Sequence, residues 1–551
     1  MTELDATLPA PRAETAALDD AHVGDIEGAL GTVSMYDTAP RRTWARRLLT
    51  LAAIVGPGLL VMIGDNDAGG VSTYAQAGQQ YGTTLLWSLV LLIPVLIINQ
   101  EMVVRLGAVT GVGHARLIRE RFGRFWSWFS VGDLFFLNFL TIVTEFIGVS
   151  LGLSYFGVQP TLSVPIAAAA LVAFTVTGSF RRWERFMFVL VAVSFLFIPL
   201  LVMTRPHGPV EILHHTFVPG VQGGFDSAAI LLLVAIVGTT IAPWQLFFQQ
   251  SNVIDKRITP RWIRYERADT VIGAFITNIA AGGYMLFTAF AVAGTVFFGH
   301  FTDAGGVANA LHQTVGYWAG AFFAIILIDA SIIGACCVTL SSAYALGDTF
   351  NLKHSLHRKF TDAKGFYGVY ALQIGFAAAI VLIPGAPLGT VTEYVQVLAG
   401  VLLPSATLFL LLLCNDQGVL GPWVNRVWLN VVTGVIIAVL VVLSLILTVN
   451  VLFPSIDVPT MTAVLFAAMG VTLAVGGVGA LVRRRRLRRV GQAVDPLAAV
   501  RHLDRSTWRM PPLALVSRPV TTRFRTTCLV ALRGYLVVAV VMIAVKLATS
   551  I

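Results

Sequence analysis

Gly64-Asp65-Asn66-Asp67-Ala68-Gly69-Gly70 interrupts the first long apolar stretch of the chain, and Gly238-Thr239-Thr240-Ile241-Ala242-Pro243 interrupts the sixth. A membrane helix must satisfy its own backbone, so a Gly/Pro break at bilayer depth is tolerated only where the freed groups meet protein, water or an ion. Interrupted segments at corresponding positions of two halves mark a transporter's substrate site. The first break also carries two carboxylates, and buried charge in a membrane is costly enough to signal function. The pairing of these two breaks predicts a cation transporter.

The composition fits a membrane setting. The chain has 551 residues, 56% hydrophobic and 12% charged, with a mean hydropathy of +0.78; a soluble protein has about 25% charged residues. Its net charge of +9 does not point to nucleic acid, because the basic residues sit in short loops between apolar segments. Cys336, Cys337, Cys414 and Cys528 lack metal-ligand spacing and read as small helix-packing residues. Residues 1–47 carry no signal-peptide pattern, and their polar first forty residues read as a mobile cytoplasmic tail.

Twelve apolar segments follow, at roughly 48–80, 84–104, 127–157, 163–180, 186–204, 226–251, 269–297, 316–346, 366–385, 390–413, 427–452 and 460–482. The N-terminal flank and every second connection together hold 28 Lys and Arg, from Arg41 to Arg489, whereas the opposite connections hold Arg205 alone. That bias predicts a multi-pass protein of the cell (inner) membrane with a cytoplasmic N-terminus. The transport domain is thus 48–482. Residues 483–527 form a basic cytoplasmic segment whose default reading is solvated or facing lipid headgroups. Residues 528–551 read as a further transmembrane or interfacial helix.

Gly56-Pro57-Gly58-Leu59-Leu60, Ile63-Gly64, Asp67, Gly69, Gln76-Ala77-Gly78 and Tyr81-Gly82 together resemble the first helix of the Nramp family of divalent-metal transporters. That family's break reads Asp-Pro-Gly-Asn; here it is Asp67-Ala68-Gly69-Gly70. Gly238 to Trp244 sits where the family has a Met-Pro-His motif, Glu145-Phe146-Ile147-Gly148 resembles its Glu-containing helix 3, and Gln396 with Pro404 resembles its Gln-bearing helix 10. The resemblance spans about residues 50 to 415. It implies an all-α integral membrane protein with a LeuT-like inverted repeat, helices 1–5 against 6–10, followed by two or three C-terminal helices. It also implies a metal site drawn from Asp67, Gly70, Thr239, Ala242 and Gln396, with Asp65 beside it and Glu145 as a residue of the ion path.

The departures from the family carry chemistry. Its helix 6 Met, a soft thioether that favours transition metals, is Ala242 here, and its helix 1 Asn is Gly70. Two small residues in place of two ligands predict a wider, oxygen-lined cavity. Mg²⁺ suits such a site because it prefers octahedral oxygen and gives up water reluctantly. The pattern resembles the Nramp-related magnesium transporters, described as carrying Mg²⁺ and Mn²⁺; these ions are cargo, and no cofactor is expected. The family's two helix 6 histidines fall on Trp244 and Gln249, and its helix 3 Asp falls on Ile142, so proton coupling is not expected. His207, His214 and His215 lie in an outer connection and read as surface residues.

Asp67 also has a plainer reading as the N-cap of the second half-helix. Asp65 reads either as a second carboxylate facing a hydrated ion or as a partner of a polar group on another helix. Glu145 reads as a structural hydrogen-bonder to the broken helix or as part of the ion path. Asp133, Asp329 and Glu393 are further acids in or near the spans. Two alternatives accompany the uncoupled Mg²⁺/Mn²⁺ transporter: a proton-coupled Mn²⁺ or transition-metal transporter of the same family, and a sodium-coupled organic-solute transporter of the same fold. Two acids at the break argue against an anionic substrate. A membrane enzyme is disfavoured by the lack of a His/Cys metal cluster, a Ser-nucleophile elbow or a phosphate-binding Gly loop. The bilayer and the divalent ion are the expected partners, and the sequence sets no oligomeric state.

Overall fold

The computed structural model describes residues 20–452, 458–489 and 503–516, except 386, together with scattered positions between 526 and 537. Ten of its helices are long and apolar enough to cross a membrane. Beside them lie the shorter apolar helix Pro160–Thr175 and the first segment, broken between Pro57–Gly64 and Ala68–Tyr81. The architecture is that of an all-α membrane protein with a LeuT-like inverted repeat, its broken spans first and sixth.

The first span starts later than its hydropathy implies. Trp44–Ile54 is a separate helix, bent by 53° from the half-helix Pro57–Gly64. Trp44, Leu48 and Leu49 on it are exposed while Ala53 and Ile54 are buried. Such an amphipathic helix suits the membrane interface, so residues 48–54 belong to the flank. The span proper is Pro57–Gly64 followed, after the break, by Ala68–Tyr81.

Pro57–Gly64 is too short to be stable alone, and the seventh span, Ile263–Val292, fixes it. Asp269 there accepts from the backbone N–H groups of Gly56 (2.9 Å), Gly58 (2.7 Å) and Leu59 (3.2 Å). These are orphan donors at a positive helix end, where a carboxylate belongs. Gly56 itself has φ +154°, and a Cβ there would collide with the Glu184 carboxylate, so the entry to the half-helix admits only glycine. The sixth span repeats the plan. Ser227–Thr240 is capped by Asp226, and Pro243–Asp255 begins with Pro243 at its first position, where a missing N–H costs nothing.

The tail is folded from residue 20 onward, against the expectation of a mobile segment. Ile26–Gly28 pairs antiparallel with Gly31–Val33, and Ile26 and Val33 are buried. Three polar anchors make this possible. Ala29 N–H donates to Glu184 Oε2 at 2.5 Å, Arg257 Nε donates to the Ala21 carbonyl at 3.0 Å, and His22 Nε2 lies 3.6 Å from Asp255 Oδ1. The hairpin therefore docks among the basic connections. Residues 503–516 dock there too: Trp423 Nε1 donates to the Arg505 carbonyl and Met510 N–H to the Val109 carbonyl. That part of 483–527 is packed against protein and not simply solvated. The suggested helix at 528–551 lies largely outside the described residues.

Below the hairpin, Lys256 Nζ sits 2.6 Å from Glu184 Oε1, both side chains fully buried, and also donates to the Val55 carbonyl at 2.8 Å. Breaking such a pair from one side leaves an uncompensated buried charge, at about 3–5 kcal/mol. Lys256→Met should therefore lower the thermal stability of the purified protein sharply, and adding Glu184→Met should recover most of the loss. Equal destabilisation by the single and double variants, in unfolding scans in detergent, would show that the pair is not what holds this corner.

Candidate functional site

Both breaks exist and they face each other. Asp65, Asn66 and Asp67 separate the two halves of the first span; Ile241 and Ala242 separate those of the sixth. The clearest measure of their approach is Gly70: a Cβ there would stand 2.7 Å from the Asp65 carbonyl, 3.0 Å from Thr239 Oγ1 and 3.5 Å from Asp67 Oδ1. Span ten, Leu388–Cys414, closes a third side. Gln396 Nε2 lies directly over Gly69, and the backbone of Gln396 and Gly400 packs on Gly238. Asp65, Asp67 and Thr239 are 0%, 3% and 2% exposed, so all three are closed off from solvent.

Asp67 does cap the second half-helix: its Oδ1 accepts from Gly70 N–H at 2.7 Å. Its side chain lies beside that of Glu145. Glu145 comes from the third span, Arg124–Tyr155, and its Oε2 accepts from Ala68 N–H at 3.1 Å. The two acids thus share the N-terminal donors of one half-helix. Gly334 on span eight makes room for them, since a Cβ there would stand 2.7 Å from both Asp67 Cβ and the Glu145 carboxylate. Glu145 therefore has the structural bond expected of it and adjoins the break as well.

Asp65 Oδ1 accepts from Gln245 Nε2 on the sixth span, in close contact, while Asp65 Oδ2 has no partner among the described residues. Pairing with another helix and a carboxylate oxygen left to spare both hold for this residue. Thr239 Oγ1 and Gln396 Nε2 likewise have no partner among the described residues. Ala242 is buried at the start of the second half of span six. Among the described residues no three His, Cys, Asp or Glu side chains gather tightly enough to hold an ion by themselves. Any ion here must add hydroxyl, amide, carbonyl or water oxygen to its carboxylates.

At Gly70 itself this closed arrangement leaves no open room. The space a side chain would fill is taken by Thr239 and the Asp65 carbonyl, because glycine lets the two broken helices touch. Sequence reasoning also missed several residues that build the site. Thr277 donates to the Met62 carbonyl, Asn66 Nδ2 to the Thr277 carbonyl at 3.1 Å, and Gln100 Nε2 to Gln245 Oε1 at 2.9 Å. One signal was available: Gln245, Gln249, Gln250 and Asn252 crowd one apolar span, and buried amides demand partners. Trp244 and Gln249, on the family's histidine positions, are buried, and Gln249 donates to Thr270 Oγ1 at 3.0 Å. Asp329 is a buried acid on span eight, bonded to Ser194 Oγ at 2.7 Å.

Comparison with known proteins places this geometry. A divalent metal cation transporter MntH of Verminephrobacter eiseniae is 28% identical over 409 residues, covering 71% of this chain and 87% of the relative. One from Staphylococcus aureus is 25% identical over 431 residues, covering 72% and 91%. A crystal structure of the Eremococcus coleocola manganese transporter superposes with a TM-score of 0.58 at 19% identity, covering 81% of this chain and 97% of that one. Residues 58–450 match the family described as natural resistance-associated macrophage protein-like, which takes in both broken spans and the site between them. The chain belongs to the Nramp family and is a metal-ion transporter, not an enzyme.

Proposed function

We propose that this chain carries hard divalent cations, Mg²⁺ in a largely hydrated form and Mn²⁺, by alternating access through the site between the two breaks, with its N-terminus in the cytoplasm. Divalent-cation transport is supported by the similarity to the MntH proteins. The preference for hard, hydrated ions rests on one observation: Gly70 and Ala242 bring no side-chain ligand to the two breaks, while buried Asp65, Asp67, Thr239 and Gln396 supply oxygen and amide there. A site with few direct ligands suits an ion that keeps its water. In the closed arrangement Thr239 covers Gly70, so admitting the ion requires the half-helices to part. The basic connections and the docked tail share one face, which supports the orientation.

Uptake needs no proton gradient. The membrane potential supplies about 2.3 kcal/mol per charge per 100 mV, hence roughly 4.6 kcal/mol for a divalent ion, or about a thousandfold accumulation. The absence of histidine at Trp244 and Gln249 and of a carboxylate at Ile142 supports uncoupled transport. A second reading, proton-coupled Mn²⁺ transport, is supported by the neighbouring acids Asp67 and Glu145 on the donors of one half-helix. Two neighbouring acids offer a place for a proton that a cation arriving at Asp67 would displace. The manganese and divalent-metal relatives fit this reading equally well.

Three measurements on the purified protein in liposomes test these readings. Asp67→Ala should abolish Mg²⁺ and Mn²⁺ uptake in a protein that still folds and inserts; retained uptake of both ions removes the break as the site. An internal pH dye should report no acidification during Mn²⁺ uptake, whereas proton entry tracking Mn²⁺ entry establishes the coupled reading. Ala242→Met adds a thioether that a soft ion can use and Mg²⁺ cannot. It should lower Mg²⁺ transport more than Mn²⁺ transport and strengthen Cd²⁺ binding; an unchanged ion preference shows that position 242 does not set selectivity.

A further inference from the structure

A cavity of about 380 Å³ opens where span two (Leu86–Thr110), span seven and the start of span eleven (Val427–Leu452) meet. Small-molecule pockets run to about 300–1,000 Å³. Four arginines line this one, Arg105, Arg267, Arg426 and Arg505, against one carboxylate, that of Glu101. Glu101 is engaged twice: Arg105 Nη2 lies 3.0 Å from its Oε2 and Arg267 Nη2 2.5 Å from its Oε1. Arg105 also donates to the Trp423 carbonyl at 2.6 Å and to Asn425 Oδ1 at 2.7 Å. Among the described residues, neither Arg426 nor Arg505 has a carboxylate partner.

The guanidiniums are gathered at one residue. Arg267 and Arg505 both sit over the ring of Trp423, 5.7 and 5.6 Å from its centroid, and Arg105 holds the carbonyl of the same residue. The Arg505 guanidinium is kept below its ordinary pKa, by partial burial first and then by repulsion from Arg426, Arg105 and Arg267. Four positive charges against one negative leave an excess of three, and an anion entering the cavity relieves their repulsion. The planar fork of arginine matches the oxygens of phosphate. The rest of the lining is apolar: Ile97 and Ile98 come from span two and Leu429 from span eleven, beside Trp428, which is 59% exposed. Tryptophan gathers at the headgroup level of a bilayer, and basic pockets between membrane helices hold phosphate headgroups.

We infer that this cavity binds a phosphate group at the membrane surface, and that its apolar side favours the headgroup of an anionic phospholipid as the occupant. Arg426 and Arg505 carry the uncompensated charge and contact the phosphate oxygens. Arg105 and Arg267, tied to Glu101, fix the positions of the walls. Arg505 belongs to the segment 503–516, so the bound anion joins that segment to spans two, seven and eleven. None of the residues at the two breaks lines the cavity, and the inference does not depend on which ion the protein carries.

The test is thermal unfolding of the purified full chain in detergent, titrated with cardiolipin, phosphatidylcholine or pyrophosphate. Cardiolipin should raise the unfolding temperature, and phosphatidylcholine, whose headgroup has no net charge, should not. Pyrophosphate separates the two sources of phosphate. Stabilisation by cardiolipin, with or without pyrophosphate, supports the lipid headgroup as occupant; stabilisation by pyrophosphate alone keeps the phosphate site and overturns the lipid. Arg426→Gln with Arg505→Gln removes the two unpaired charges and leaves both bonds to Glu101 in place. It should raise the ligand concentration needed for half the effect by about tenfold or more, as expected for loss of charge-assisted bonds. Arg426→Gln alone, at an exposed position, should give part of that change and replaces the double variant if the latter does not fold. Arg42→Gln with Arg46→Gln, exposed and outside the cavity, should change nothing. Absence of stabilisation by both cardiolipin and pyrophosphate, or an equal response from the parent and the Arg426/Arg505 variants, overturns the inference.

Discussion

The two broken spans release backbone groups where no water is available to satisfy them, and that requirement organises the core. A half-helix of eight residues such as Pro57–Gly64 has more orphan ends than interior. Asp269 takes three of its N-terminal donors, and Thr277 donates to its Met62 carbonyl. At the facing end of Ala68–Tyr81, Asp67 and Glu145 divide the donors of Gly70 and Ala68. The site's carboxylates are thus held in place by the defect that creates the site. Removing the break would remove the reason for the acids' geometry.

What the sequence discloses follows from range. The breaks and the long apolar spans are written in local runs of Gly, Pro and apolar residues, and these were legible. Asp67 as a helix cap was legible for the same reason, since its donor is three residues away. Asp269 acts on Gly56 across more than two hundred residues, and Lys256 on Glu184 across seventy-two. No local pattern encodes such pairs. The tail was misread because its composition is polar, while its order comes from Glu184, Arg257 and Asp255, which belong to other elements. The start of the first span was misread because the face of Trp44–Ile54 that carries Leu48 and Leu49 is as apolar as a span yet turned outward.

Gly70 and Ala242 show how a missing ligand can be read in two ways. From sequence, small residues mean space. In the closed structure, smallness at position 70 means contact, since Thr239 and the Asp65 carbonyl fill the position. Both follow from the absence of a side chain: the same glycine that lets the half-helices meet leaves no direct ligand when they part. An asparagine at position 70 would therefore do more than add a ligand, because it would also hold the two breaks apart.

Cap and ion ligand are not competing roles for Asp67. A carboxylate has about four lone-pair positions, and the bond from Gly70 N–H uses one of them. That bond fixes the rotamer and leaves the remaining lone pairs in a constant direction, as the proposed ion site requires. Asp65 is arranged differently. One oxygen is engaged by a neutral amide, the other is unpartnered among the described residues, and its nearest support, Gln245, belongs to the opposing broken helix. One acid is therefore anchored within its own span, while the other spans the gap between the two repeats. Relative movement of the repeats leaves the first unchanged and alters the second.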